Sequence, residues 1–422
     1  MPPPSGAPEK RLAAAISRLV GTDSWRLRLW DGVEVAPAGE VGFTVTLNSP
    51  RALDVLLGGT PERAFGRAYV AGLIDIEPLD AFLEGEARTP LSRMARAWPG
   101  IMAAALRMGG RPHRGHADGA EARLRGRMHS RARDAAAVRH HYDLPADFYE
   151  LWLDESMTYS CAIFSRGATT LEEAQECKLD LVCTKLGLEE GQRVLDVGCG
   201  WGSFALHAAR NYGVSVVGIT LSPPQAETAR RRAAEAGLAD KIDIRVQDWR
   251  ELPPGDTFDA ISSIGMVEHV GEESIDAYAA RLRELLNPET GRLLNHGIAR
   301  VDPGDPTGGP FTQHYVFPDG APLQLSRMLL AFERAGLVSD HIEGFAPDYA
   351  ETLRHWYTRL DEHLDEATRL AGEERIRVWR LYLRAARWGF LNDFTSIYQV
   401  RARPEGSAFL APLAARSAAV AA

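Results

Sequence analysis

The clearest pattern in the chain is a run of short apolar segments, each ending in glycine or polar residues. Val194 to Val197 is a compact apolar stretch that reads as a buried parallel strand. It meets Gly198, Gly200 and Gly202, and then a helical pattern from Ser203 to Arg210. Further strands are predicted at 214–220, 242–246, 258–264 and 293–299, with a last one at 396–400. Upstream, short strand patterns at 24–30 and 41–47 and helical ones near 50–57 and 62–72 predict a small α+β domain over residues 10–108. Downstream, 323–335, 350–370 and 373–390 read as helices, the last rich in Trp379, Tyr382 and Trp388. Helices inserted this late are expected to cap a pocket, and their aromatic stripe is read first as core. The predicted division is a loose tail at 1–9, the small domain at 10–108, a linker at 109–134, a larger α/β domain at 135–410 and a loose tail at 411–422.

Composition changes this picture little. Of 422 residues, 45% are hydrophobic and 25% charged, a globular profile with room for a core. The net charge of −9 excludes a molecule that binds nucleic acid by overall electrostatics. No apolar run approaches the roughly 18 residues of a membrane span. Cys161, Cys177, Cys183 and Cys199 have no metal-type spacing, and no secretory leader is evident, so reduced thiols and a cytoplasmic location are expected. Charge is uneven, however. The linker carries Arg111, Arg114, Arg123, Arg125, Arg127, Arg131 and Arg133. One reading is a solvated connector. The other is a basic contact to an anionic membrane surface.

The candidate chemistry starts at the glycine loop. Glycines at a strand–helix junction let the backbone turn sharply and approach a ligand, and the helix that follows offers unpaired N–H groups. A dinucleotide site would want an acidic residue at the end of the second strand, where Thr220 stands. The third strand ends in Gln247-Asp248-Trp249, and the fourth in Gly265-Met-Val-Glu268-His269. This order resembles the class I methyltransferases that use S-adenosylmethionine, whose fold is a Rossmann-like sheet. The resemblance implies Asp196, Gly198 and Gly200 at the methionine part of the donor. It implies Thr220, Leu221 and Gln225 near the ribose and adenosine, Gln247 and Trp249 at the adenine, and Ile264 among the donor contacts.

A second stretch narrows the class. His140-His-Tyr-Asp143, Asp147-Phe-Tyr149, Trp152 and Met157-Thr-Tyr-Ser-Cys161 are dense in aromatic and polar groups without a clean period. Together with Glu172 to Lys178, Gly265 to Gly271 and Tyr315-Val-Phe-Pro318, they resemble the cyclopropane-fatty-acid synthases and the related mycolic acid methyltransferases. The small N-terminal domain also resembles that of the phospholipid-acting members. The resemblance implies methyl transfer from S-adenosylmethionine to the double bond of an unsaturated phospholipid, then loss of one proton to a bound bicarbonate. It implies that Cys161 and Ile298 (through main chain), Glu268, His296 and Tyr349 hold the bicarbonate, and that Tyr159 and Ser160 touch the donor's methionine carboxylate. The His140–Asp143 cluster is then a lid near the donor rather than a metal site. Tyr159, Trp152, Phe148 and Tyr315 are candidates for an aromatic wall beside positive charge.

The segment 389–399 departs from the arginine-bearing form of typical cyclopropane synthases. That leaves open a methylene-branched product, which a partner reductase could convert to a methyl branch. A non-catalytic lipid- or S-adenosylmethionine-binding protein and a polar-acceptor methyltransferase are the rival classes. A homodimer and a peripheral position at the inner membrane surface are further expectations of the resemblance.

Overall fold

The computed structural model describes residues 7–20, 23–37, 39–84, 91–111, 120–142, 144–301, 309 and 311–410, with the side chains of 19–20, 84 and 91–95 excepted. Both predicted tails, much of the Asp302–Pro310 loop, Asp143 and the middle of the basic linker therefore lie wholly or largely outside the described residues. The chain divides into two compact units.

The first unit comprises residues 1–121, 309–316 and 371–388. Its sheet holds four strands, β1 (Trp25–Arg28), β2 (Glu34–Val35), β3 (Phe43–Leu47) and β4 (Ile74–Glu77), in the order β2-β1-β3-β4. β1 and β3 run parallel, and the other pairs are antiparallel. Alternate residues Trp25, Leu27, Phe43, Val45, Ile74 and Ile76 are buried on one face, the period-two pattern of a half-covered sheet. Two later pieces of chain complete this unit. Phe311 packs on Gly66, where an added Cβ would come within 2.6 Å of its ring. Arg377 donates to the Tyr69 and Ile74 carbonyls and Arg384 pairs with Asp80 at 3.0 Å.

This corrects the linear division expected from the sequence. The helix Glu373–Leu391 belongs for most of its length to the first unit rather than to a lid of the catalytic domain. Tyr315, expected in an aromatic wall, also lies in the first unit, stacked on Phe311.

The second unit comprises residues 122–308, 317–370 and 389–422. Its seven strands are β5 (Arg193–Val197), β6 (Ser215–Thr220), β7 (Ile242–Val246), β8 (Ala260–Ile264), β9 (Arg292–Arg300), β10 (Leu337–Gly344) and β11 (Thr395–Pro404). They lie in the order β10-β11-β9-β8-β5-β6-β7. β5 to β9 are mutually parallel, while β11 runs antiparallel between β9 and β10. Both faces are covered. Val194, Val216 and Ile244 enter one apolar cluster, and Leu195, Val217 and Ile261 the other. That is why these strands read as apolar runs rather than as alternation.

β10 was not foreseen. It carries Asp340, His341 and Glu343, and sits at the sheet edge where only Leu337 of its eight residues is buried. Strand order reverses between β5 and β8, so the cleft outside their carboxyl ends is where an open α/β sheet binds ligands. No helix among the described residues is long and apolar enough to cross a membrane.

Candidate active site

The glycine loop follows β5. Gly198, Gly200 and Gly202 have φ of 81°, 53° and 85°, a region that side chains with a Cβ rarely adopt. The Gly198 and Cys199 N–H groups donate to the Ile219 carbonyl at 2.9 and 3.0 Å, which ties the loop to the end of β6. A Cβ at Gly200 would meet nothing within 4 Å. The loop is therefore held from behind and open in front, which suits backbone contact with a ligand. Thr220, at the end of β6, donates to Gln225 Oε1 at 2.8 Å. Ser222 caps the helix Pro223–Glu235 on which Gln225 sits. Leu221 lies half-buried between them. Gln247 follows β7, its N–H donating to the Thr220 carbonyl at 3.0 Å. Trp249 packs edge-on to Tyr278 with ring centroids 5.0 Å apart, so its indole is largely core. The expected donor residues thus gather along the ends of β5, β6 and β7.

Asp196 is the penultimate residue of β5 and only 2% exposed. Burial pushes its carboxyl up to about 7, against the pull of Lys178 and Ser262. On the other side of the loop stands the segment 154–161. Asp154 Oδ1 accepts from the Thr158 N–H at 2.9 Å and Oδ2 from the Ser156 N–H at 2.9 Å. That brace makes the turn that presents Tyr159, Ser160 and Cys161. The Tyr159 ring lies among His141, Trp152 and Trp356, with centroids 5.7, 5.6 and 5.0 Å away, and its hydroxyl is 3.3 Å from His141 Nε2. Trp152 and Phe148 are fully buried, so of the proposed aromatic wall Tyr159 keeps the most access.

The remaining residues meet around Phe345. Its carbonyl accepts from the Tyr349 N–H at 3.0 Å and from the Cys161 thiol at 3.8 Å. Its ring is 6.2 Å from that of His296. Tyr349 begins the helix Ala346–Glu362 and packs on Phe390 and Trp356. Glu268 stands after β8, in the short 3-10 turn Val267–His269. The Ile298 N–H donates to Glu268 Oε1 at 2.7 Å, so the Ile298 amide expected to face an anion is already taken by this carboxylate. Ile264 at the end of β8 lies opposite His296 on β9. Cys161, His296 and Tyr349 thus share Phe345 as a neighbour, and Glu268 is tied to β9 at Ile298, two residues from His296.

Two atoms there are decisive. Glu268 Oε2 and His296 Nε2 are buried without a hydrogen-bond partner among the described residues. Burial raises the Glu268 carboxyl to about 7. It also lowers the His296 imidazole well below its usual value, helped by the positive charges of Lys178 and Lys185. His296 is therefore neutral near pH 7. Its Nδ1 is 3.4 Å from Gln399 Nε2, directly across the sheet on β11. If that amide donates, Nδ1 is an acceptor and the proton rests on Nε2, leaving Nε2–H to donate into the site. A donor at His296 Nε2 and an acceptor at Glu268 Oε2, both without a partner among the described residues, fit a small oxyanion that carries one proton.

Sequence reasoning missed Gln399, Phe345, Trp356 and the pair Gln175 and Lys178. Gln399 and Phe345 matter through strand pairing and packing, which no local pattern reveals. Gln175 and Lys178 did leave a signal, two polar residues three apart on what proves a buried helix face.

A model of the mycolic acid cyclopropane synthetase family matches residues 129–400. The chain belongs to this family. It is 37% identical over 383 residues to a probable fatty acid methyltransferase of Pseudomonas putida, covering 89% of this chain and 91% of that one. It is 38% identical over 273 residues to the cyclopropane-fatty-acyl-phospholipid synthase of Escherichia coli, covering 65% and 69%. Among solved structures, the cyclopropane synthase MmaA2 from Mycobacterium tuberculosis matches with a TM-score of 0.60 at 33% identity, over 64% of this chain and 97% of that one. The mycolic acid cyclopropane synthase CmaA1, solved in complex with SAH and CTAB, also gives 0.60 at 32%. This member of the mycolic acid cyclopropane synthetase family is an S-adenosylmethionine-dependent methyltransferase with the class I fold.

Proposed function

We propose that the protein transfers a one-carbon unit from S-adenosylmethionine to the double bond of an unsaturated phospholipid acyl chain and closes a cyclopropane ring, with bicarbonate as the base. The observation that carries this reading is that two buried atoms have no partner among the described residues, Glu268 Oε2 on a carboxylate tied to the Ile298 amide of β9, and Nε2 of His296 two residues earlier on that strand. A protein that only bound lipid or S-adenosylmethionine would have no use for them. When bound, S-adenosylmethionine supplies an electrophilic methyl group and bicarbonate supplies a proton acceptor.

The chain's own residues do the rest. The open face of Gly200 and the adjoining Gly198 backbone receive the methionine part beside Asp196, Tyr159 and Ser160. Thr220, Leu221 and Gln225 take the ribose side, and Gln247, Trp249 and Ile264 the adenine side. The alkene attacks the methyl carbon as the carbon–sulfur bond breaks, and positive charge passes to the acyl chain. Tyr159 and the rings around it tolerate that charge without adding to it, and the buried setting excludes water. His296 Nε2–H and Tyr349 hold the anion, and ionised Glu268 accepts its hydroxyl proton in a hydrogen bond, which raises its basicity. The proton then leaves the transferred carbon, and the ring closes with its electron pair.

The phospholipid is proposed to be met at an anionic membrane surface on the cytoplasmic side. The arginines near this unit are only partly available for that contact. Arg133 pairs with Asp319 at 2.5 Å and Arg131 with Glu251 at 2.8 Å, while Arg127 is largely exposed. A homodimer would add avidity to such a surface contact.

A second reading keeps the donor and the lipid but gives a methylene-branched chain for a partner reductase. It is favoured by the near full-length similarity to a probable fatty acid methyltransferase and by the unusual 389–399 segment. The test is expression in a host with oleoyl phospholipids fed methyl-deuterated methionine, followed by gas chromatography and mass spectrometry of the fatty acids. A ring carrying two deuteriums is expected. An exocyclic alkene would select the second reading, and no labelled lipid from folded protein would reject both.

A further inference from the structure

The helix Leu171–Leu186 buries two lysines, and they are treated differently. Lys185 donates to Glu343 Oε2 at 2.6 Å, an ordinary buried ion pair. Lys178 is 1% exposed, and its Nζ donates to Ser160 Oγ at 2.8 Å. Among the described residues no carboxylate lies within ion-pair distance of Lys178. Asp154 and Asp196 act on it only through longer electrostatic range. A buried ammonium whose direct partner is a hydroxyl is costly unless an anion completes its surroundings.

The same helix face fixes the geometry. Gln175, three residues earlier, donates from Nε2 to the Thr158 carbonyl at 3.1 Å and the Ser160 carbonyl at 2.9 Å. These bonds clamp the backbone on both sides of Tyr159. With the backbone held by Gln175 and the hydroxyl oxygen accepting from Lys178, Ser160 must direct its own proton away from the ammonium. It becomes an oriented donor backed by the Lys178 ammonium, which burial lowers to about 8 and which therefore stays mostly charged near pH 7.

We propose that Lys178 is a positioning residue for the carboxylate of the bound methyl donor, acting through Ser160 Oγ. This rests on the methyl-donor reading above. It adds the source of the positive charge, which neither Tyr159 nor Ser160 supplies. The same charge explains the competing demands on Asp196, which burial drives toward its neutral form while Lys178 holds it toward the ionised one.

The test uses the full chain and two probes, S-adenosylhomocysteine and its decarboxylated analogue, which keeps the amine and lacks only the carboxylate. Their affinities are measured by calorimetry for the wild type, Lys178→Met and Ser160→Ala. Lys178→Met is expected to weaken S-adenosylhomocysteine by roughly tenfold or more and to leave the analogue within about twofold. Ser160→Ala should lose the same preference, and the double variant should be little worse than either single one. Equal losses for both probes, or an unchanged preference, would overturn the proposal. Should Lys178→Met not fold, Ser160→Ala decides alone, since a retained preference there removes the path through its hydroxyl. A wild type that binds both probes equally has no carboxylate subsite and also overturns the proposal. A wild type that binds neither fails the methyl-donor reading itself.

Discussion

Glu268 concentrates the chemistry of the site in one ionisation. Its carboxyl belongs near 4.5 in an unfolded chain and near 7 in the folded one, because burial penalises the charged form. Between those values the native state holds a proton that the unfolded state has released, so this group makes stability fall as pH rises through that window. Glu268→Gln removes the penalty. It is expected to gain roughly 3 kcal/mol in urea unfolding at about pH 8 and progressively less toward about pH 5. Turnover should fall steeply in the same variant, because the amide cannot strengthen a bound base. In the wild type, kcat/KM should decline as pH falls through about 7, where Glu268 takes up its proton. Asp196 is raised to a similar value, so an acid limb that persists in the residual activity of Glu268→Gln would assign it to Asp196 instead.

The helix Leu171–Leu186 shows how local sequence rules serve a remote purpose. Thr170 accepts from the Glu173 N–H at 3.2 Å, and Glu173 reaches back to the Thr170 N–H at 3.2 Å, a complete capping box. Gly187, with φ of 66°, ends the helix in the left-handed conformation that glycine adopts without strain. These ends set the rotation of the helix, and so the face on which Gln175, Lys178 and Lys185 point inward. Thr170→Ala should cost about 1 kcal/mol in denaturant unfolding. Because Thr170 is exposed and only the helix end frays, the fatty acid product in cells should not change. The caps and the apolar period could be read from the sequence. That Lys178 would find a hydroxyl and Lys185 a carboxylate could not, since Ser160 and Glu343 come from distant segments.

At the scale of the whole molecule, the division into units cuts across the sequence. Residues 371–388 belong with the N-terminal sheet, held by Arg377 on the Tyr69 and Ile74 carbonyls, and Ile376, Val378, Trp379, Leu381 and Leu383 are buried in the folded chain. Deleting residues 1–121 should therefore strip the cover from an aromatic and aliphatic helix face. The truncated chain is expected in inclusion bodies or in the void volume on sizing chromatography. A soluble, monodisperse and active fragment would count against this assignment of the helix. The contrast with MmaA2, of which 97% is covered by 64% of this chain, makes the experiment informative. Matching the catalytic portion alone does not imply that this portion is independent here.

The sequence by itself determined what local periodicity and chemistry can carry. The apolar runs of β5 to β9, the glycine turn, the residues at the strand ends and the resemblance they support were all legible, because buried parallel strands and ligand-bearing loops leave compact signatures. β10 was not, because an edge strand that meets water lacks the apolar run of its neighbours. The alliance of 371–388 with the first unit was decided only in three dimensions, through Arg377 and Arg384 reaching residues some three hundred positions away. So was the register that sets Gln399 opposite His296. Tertiary structure also supplied the information that matters most for function. It left Glu268 Oε2, His296 Nε2 and the Lys178 ammonium buried with their charge or hydrogen-bonding capacity incompletely met, and solvent exclusion is a property of the packed fold rather than of any segment.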